Sequence, residues 1–247
     1  MCKLIRNKLL LRYIWLTIIF AFFAVMWHGE KEGIIFFILG GIKNDMGKQI
    51  ELLPMGKWLF LFGYFFMIIG MQLARERQSV TLLMHRYGSF YKWWRTHFIN
   101  IEFLIMILFL SSICIWKCME FVYEVKSLNF IWICVTYFIH LICMGAVEIS
   151  SDILFSSKVM SAILIILEGI LYILSIQYSL PWLAAGMFVR SDKYQKDGYS
   201  ILLVYIIEVF IIAICYLAVP VLWKCGWLER REICWMSFAD ISVKDWF

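Results

Sequence analysis

The sequence predicts an all-α polytopic membrane protein, and three observations carry that prediction. Of 247 residues, 63% are hydrophobic and only 17% are charged. A soluble domain holds about 45–50% apolar and about 25% charged residues, so a soluble fold of this length could not keep so much apolar surface from water. Mean hydropathy is +0.82. The apolar residues also fall in runs near the 20 or so residues that a helix needs to cross about 30 Å of hydrocarbon.

Taken in order, a basic start (Lys3, Arg6, Lys8) leads into a first span over Leu9–Trp27, with Arg12 in its first turn. Met26-Trp27-His28 is too bulky for a signal-peptidase site, so the span is expected to be retained. "GIIFFILGG" (33–41) is apolar but too short to cross, which suits an interfacial or re-entrant element. The second span, Trp58–Leu73, is the shortest and is closed by Arg75 and Arg77. Ser79–Leu83 can continue that helix, and Tyr87-Gly-Ser breaks it. "FYKWWRTHF" reads as a helix running into the third span, Phe98–Trp116. Trp93 and Trp94 are expected at the headgroup level, with Lys92 and Arg95 facing phosphates. The fourth and fifth spans cover Phe130–Val147 and Val159–Tyr178. "LPWLAAGMFV" (180–189) follows as a short outer helix that does not cross, with Pro181 suited to its first turn. The sixth span is Ile201–Trp223. No linker, low-complexity block or repeat divides the chain, so residues 1–247 form one transmembrane domain.

Charge sets the expected orientation. With both termini inside, 14 of the 23 Lys and Arg lie on the cytoplasmic side, and the outer ones are diluted by Glu30, Glu32, Asp45 and Glu51. The net charge of +5 is then an orientation signal and no reason to invoke nucleic acid, which wants a basic face on a soluble module. The eight cysteines show no CxxC and no disulfide framework, and read as small hydrophobes.

Ionisable residues at bilayer depth cost about 2.5–3.5 kcal/mol each on insertion scales and so demand a role. His140, Glu168 and Glu208 lie well inside spans four, five and six. They suit either a polar patch on a transport path or hydrogen-bonded contacts between helices. Glu102 and Glu148 lie nearer the inner ends and are expected to reach water or Arg95. No second ligand stands at metal spacing from His140, so no metal site is expected. Membrane-enzyme chemistry lacks its residues: no HExxH, no adjacent glutamates on a span, and a Gly-Ser only in the charged inner loop. No catalytic residue is assigned.

A basic segment leads into span one, "RYGSFYKWW" forms a short helix–turn–helix between spans two and three, and "LPWLAAGMFV" lies between spans five and six. In this arrangement the chain resembles the permease subunits of ABC-2-type transporters, in the small class found in bacterial peptide-antibiotic (lantibiotic) export and self-immunity systems. The resemblance covers the whole chain in topology; at residue level it rests on those two segments. It implies that the segment between spans two and three is a coupling helix seated in a groove of an ATPase subunit. His85, Arg86, Tyr87, Gly88, Ser89, Phe90 and Tyr91 would form that contact. The chain has no Walker A loop, so ATP and Mg would be held by the partner ATPase. A second permease, this chain again or a sister subunit, would complete the pathway. The resemblance implies a cell-membrane exporter of an amphipathic peptide or lipid-like substrate. A secondary carrier, or a substrate-capture subunit of an uptake transporter, is the competing expectation.

Overall fold

A computed structural model describes residues 2–27, 33–42, 52–77, 87–153, 155, 157–178, 180, 183, 185–190, 195 and 198–225. Among the described residues the chain is helical and contains no strand. Seven α-helices appear in order: α1 Cys2–Trp27, α2 Ile34–Leu39, α3 Leu52–Arg77, α4 Phe90–Val122, α5 Phe130–Asp152, α6 Ser157–Gln177 and α7 Ile201–Lys224, with a 3-10 helix at Phe188–Arg190 before α7. Five of them, α3 to α7, are long and apolar enough to cross a membrane. In α1 the apolar stretch runs from Leu11 to Met26.

Helices α3 and α4 extend well beyond the apolar runs that mark them. Helix α3 begins at Leu52 because Pro54 sits in its first turn, where a missing N–H leaves no carbonyl unpaired. Helix α4 starts at Phe90, as the sequence predicts. Helix α5 is the centre of the bundle, packing on α2, α3, α4, α6, α7 and the 3-10 helix. Helix α3 lies along α6, and α1 against α4 and α2. The core is dominated by aromatics: Trp58, Phe62, Phe66, Trp94 and Tyr172 are fully buried.

Helix α2 is buried among α1, α4 and α5, with Ile34, Ile35, Ile38 and Leu39 all at 0% exposure. A helix of six residues leaves most of its backbone groups without intrahelical partners, and side chains supply them. Ile35 N donates to Glu120 Oε1 (3.0 Å) and Phe36 N to Ser127 Oγ (3.0 Å). The Ser127 hydroxyl in turn donates to Glu120, and Lys117 Nζ reaches Glu120 Oε2 at 2.8 Å. At the other end, Lys57 Nζ donates to Phe37 O at 2.5 Å and Val189 N to Gly40 O at 2.9 Å. An anion at the start and a cation at the end also match the helix dipole.

The opposite end of the bundle is closed differently. Trp93 and Trp94 are both buried in protein. Trp94 lies against α7, and Trp93 packs among Phe90, Trp94 and His97. Trp94 Nε1 donates to Tyr216 O at 2.9 Å. That carbonyl lacks its usual helical partner, since residue 220, four positions on, is a proline inside α7. Phe90 stacks on Trp223 with ring centres 4.1 Å apart and planes 3° from parallel. His97 stacks on Trp93 and bonds Glu76 Oε2 at 2.8 Å, tying α4 to α3.

Candidate functional site

Two places carry the ionisable and exposed residues that the sequence singles out. The first is the turn into α4. His85 and Arg86 lie outside the described residues. Tyr87 is half-buried against the core, and Gly88 takes φ +66, a left-handed conformation that glycine adopts without strain. Ser89 caps α4, its hydroxyl accepting from Lys92 N at 3.3 Å. Phe90 turns inward onto Trp223, whereas Gly88, Ser89 and Tyr91 face outward, Tyr91 at 52% exposure. The five described candidates therefore split: aromatic positions 87 and 90 anchor the turn, and 88, 89 and 91 face outward, with the Tyr91 hydroxyl bonded to Tyr216 of α7.

The second place lies in the bundle interior. His140, near the middle of α5, stands between two carboxylates from other helices. Its Nδ1 faces Glu208 Oε1 of α7 at 2.8 Å and its Nε2 faces Glu168 Oε2 of α6 at 3.3 Å. Trp58 of α3 donates its indole N–H to Glu168 Oε1 at 2.8 Å. The trio draws on three helices and, with Trp58, a fourth. His140, Glu168 and Glu208 are each at most 3% exposed. Glu208 Oε2 is sealed from solvent and makes no hydrogen bond among the described residues. Beside it, Thr136 Oγ1 and Tyr205 Oη share a hydrogen bond of 2.8 Å that also joins α5 to α7.

One end of this cluster is covered by residues 185–190. Gly186 lies directly on the imidazole: a Cβ added there would stand 2.5 Å from His140 Cδ2 and 2.8 Å from Cγ. Met187 packs on Gly41, and Val189 bonds Gly40, so the cover is knit to the end of α2. Of the predicted outer segment 180–189, residues 181, 182 and 184 lie outside the described residues. The described part shows turns at Leu183, Ala185 and Gly186 and then the 3-10 helix.

Glu102 and Glu148 differ from expectation. Neither is bonded to Arg95. Both Glu102 oxygens are buried without a hydrogen bond among the described residues. Glu148 is at 0% exposure, accepting from Ser161 Oγ at 2.6 Å while its Oε2 is unpartnered. Among the described residues no group of three or more His, Cys, Asp or Glu could hold a metal ion. Cys114, Cys118, Cys134, Cys143, Cys215 and Cys225 are free thiols. Trp58 and Gly186 escaped the sequence reading; their contacts span 110 and 46 positions of chain, a separation that no local pattern encodes.

No protein family, curated protein or solved structure matches the chain.

Proposed function

We propose that the chain is the membrane-spanning permease subunit of an ATP-driven exporter in a bacterial plasma membrane, of the ABC-2 type. In this reading α1 is the first of six spans, both termini are cytoplasmic, and the turn into α4 docks on a separate ATPase chain. A second permease completes the path for an amphipathic peptide or lipid-like substrate. The observation that supports the reading is the construction of that turn. Helix α4 has 33 residues and is about 50 Å long, against about 30 Å of hydrocarbon, so it outreaches the bilayer. Its first two turns are fixed to α7 by the Phe90–Trp223 stack and the Trp94–Tyr216 bond, and to α3 by His97–Glu76. A load applied at Gly88–Tyr91 is carried into three helices, as a coupling lever requires.

Purification from native membranes in mild detergent tests it. A soluble ATPase chain and a second permease copy should accompany the protein. Tyr91→Ala, on the outward face, should uncouple ATP hydrolysis from transport while insertion and helix content stay unchanged. A chain that purifies alone, or a Tyr91→Ala variant that transports normally, removes the reading. One observation favours a second reading: an ionisable trio deep between helices is what a proton-driven secondary carrier needs. Such a carrier would run without an ATPase and would accumulate substrate under an imposed pH gradient.

A further inference from the structure

We propose that His140, Glu168 and Glu208 form a proton-binding site that exchanges one proton at Glu208 and is closed at one end by residues 185–190. The inference goes beyond the transport reading and does not depend on what powers transport.

Counting hydrogens carries the argument. Both ring nitrogens of His140 face carboxylate oxygens within hydrogen-bonding range. Each contact needs a hydrogen between nitrogen and oxygen, because a bare lone pair facing a carboxylate repels it. The trio therefore holds at least two protons, both on the ring or one on the ring and one on a carboxyl. With two protons its net charge is −1; with three it is neutral. The Trp58 indole satisfies Glu168 Oε1 but brings no charge. Glu208 Oε2 is the remaining acceptor, sealed from solvent and unpartnered, and the third proton binds there. A bare anionic oxygen in an apolar interior is costly, and among the described residues no metal-holding group surrounds it. The neutral trio is the resting state, and the proton leaves to water only when the site opens.

The charged and titratable groups on the surrounding elements are few. Helix α5 brings Tyr137 beside Glu168 and Cys143 beside Glu208, and α7 brings Tyr205 beside Glu208. Helix α4 places Glu102 near Cys143, and in the 3-10 helix Arg190 stacks over the ring of Tyr172, one turn along α6 from Glu168. Helix α2 has no charged residue, and α3 contributes the neutral Trp58. The cover has a mechanical consequence. With the Gly186 backbone on the imidazole face, the ring cannot tilt to pass a proton unless residues 185–190 lift.

The test uses the full chain in nanodiscs, with Glu102→Gln and Glu148→Gln in the background to silence the other buried carboxyls that have unpartnered oxygens. Infrared difference spectra are recorded as the pH is raised. One protonated-carboxyl band should disappear on alkalinisation, and that band should be missing from Glu208→Gln. If Glu208→Gln does not fold, Glu208→Asp, which keeps the carboxyl, should displace the band rather than remove it. Gly186→Ala should make deuterium exchange of the same carboxyl several-fold faster. No pH-sensitive carboxyl in the background protein, or a band unmoved in both Glu208 variants, overturns the site. Exchange unchanged in Gly186→Ala overturns the closure.

Discussion

The two ends of the bundle meet one problem with opposite chemistry. At the end holding α2, backbone donors are in surplus: the N–H groups of Ile35 and Phe36 have no carbonyl behind them, and Glu120 and Ser127 accept from them. At the other end an acceptor is in surplus: Pro220 leaves the Tyr216 carbonyl unpaired, and the neutral Trp94 indole donates to it. In an apolar surround neither group can be left to solvent. The difference lies in load. One carboxylate serves a backbone amide, a hydroxyl and an ammonium, whereas one indole serves one carbonyl. The carboxylate end is thus a hub whose failure spreads, and the indole end is a single joint.

The strongest way to break this comparison is Glu120→Ala. It strips three donors of their acceptor at once and should cost about 3 kcal/mol or more, read as a lower midpoint in denaturant-induced unfolding from mixed micelles. Glu120→Gln, which keeps an oxygen for Ile35, should lose less. A cost for Glu120→Ala no larger than that of Trp94→Phe would erase the distinction between hub and joint.

Trp94→Phe comes next, at about 2 kcal/mol, because a buried carbonyl is left unpaired. A double-mutant cycle sharpens it. In a Pro220→Ala background residue 220 regains an N–H for Tyr216, so the Trp94→Phe penalty should fall below about 1 kcal/mol. Additive penalties would show that the indole bond does not answer the proline. Lys57→Met, which leaves the end of α2 without its ammonium, should cost about 1 kcal/mol. The smallest effect belongs to Ser89→Ala at the exposed start of α4, about 0.5–1 kcal/mol for a lost cap, seen as earlier fraying of that turn in amide exchange.

The five long apolar helices, α3 to α7, were legible because hydrophobic length is a local property. Helix α4 could be followed back to Phe90 for the same reason, with Ser89 standing before an aromatic run. The burial of Trp93 and Trp94 in protein was not legible, because sequence gives the depth of a residue and not its neighbours; the α7 carbonyl that Trp94 meets lies more than a hundred positions later. His140, Glu168 and Glu208 were each recognisable as ionisable residues out of place, yet their meeting depends on the order in which helices pack. Glu120 went unnoticed because a charge at the end of a span is ordinary. The signal was nearby: an apolar run as short as "GIIFFILGG" cannot satisfy its own backbone, so a buried element of that length calls for an acidic partner elsewhere.

Helix α7 shows apolar side chains on nearly every side. Leu202, Leu203, Ile206, Val209, Phe210, Ile214, Leu217 and Val221 are all exposed, while Val204, Glu208, Val219 and Pro220 are buried. Greasy contact alone gives such a rod little reason to prefer one rotation over another. Polar bonds supply it: Tyr205 to Thr136, Glu208 to His140, Ser150 to the Cys215 carbonyl and Trp94 to the Tyr216 carbonyl. From Tyr205 to Tyr216 they run about 16 Å along the axis, and they engage two helices. A rod held at several separated points has its azimuth and its depth both set, so α7 is indexed like a key with several teeth. If the tooth at Glu208 gains or loses a proton, those at Tyr205, Cys215 and Tyr216 still hold the helix. A proton can therefore come and go at Glu208 while α7 keeps its rotation and its depth.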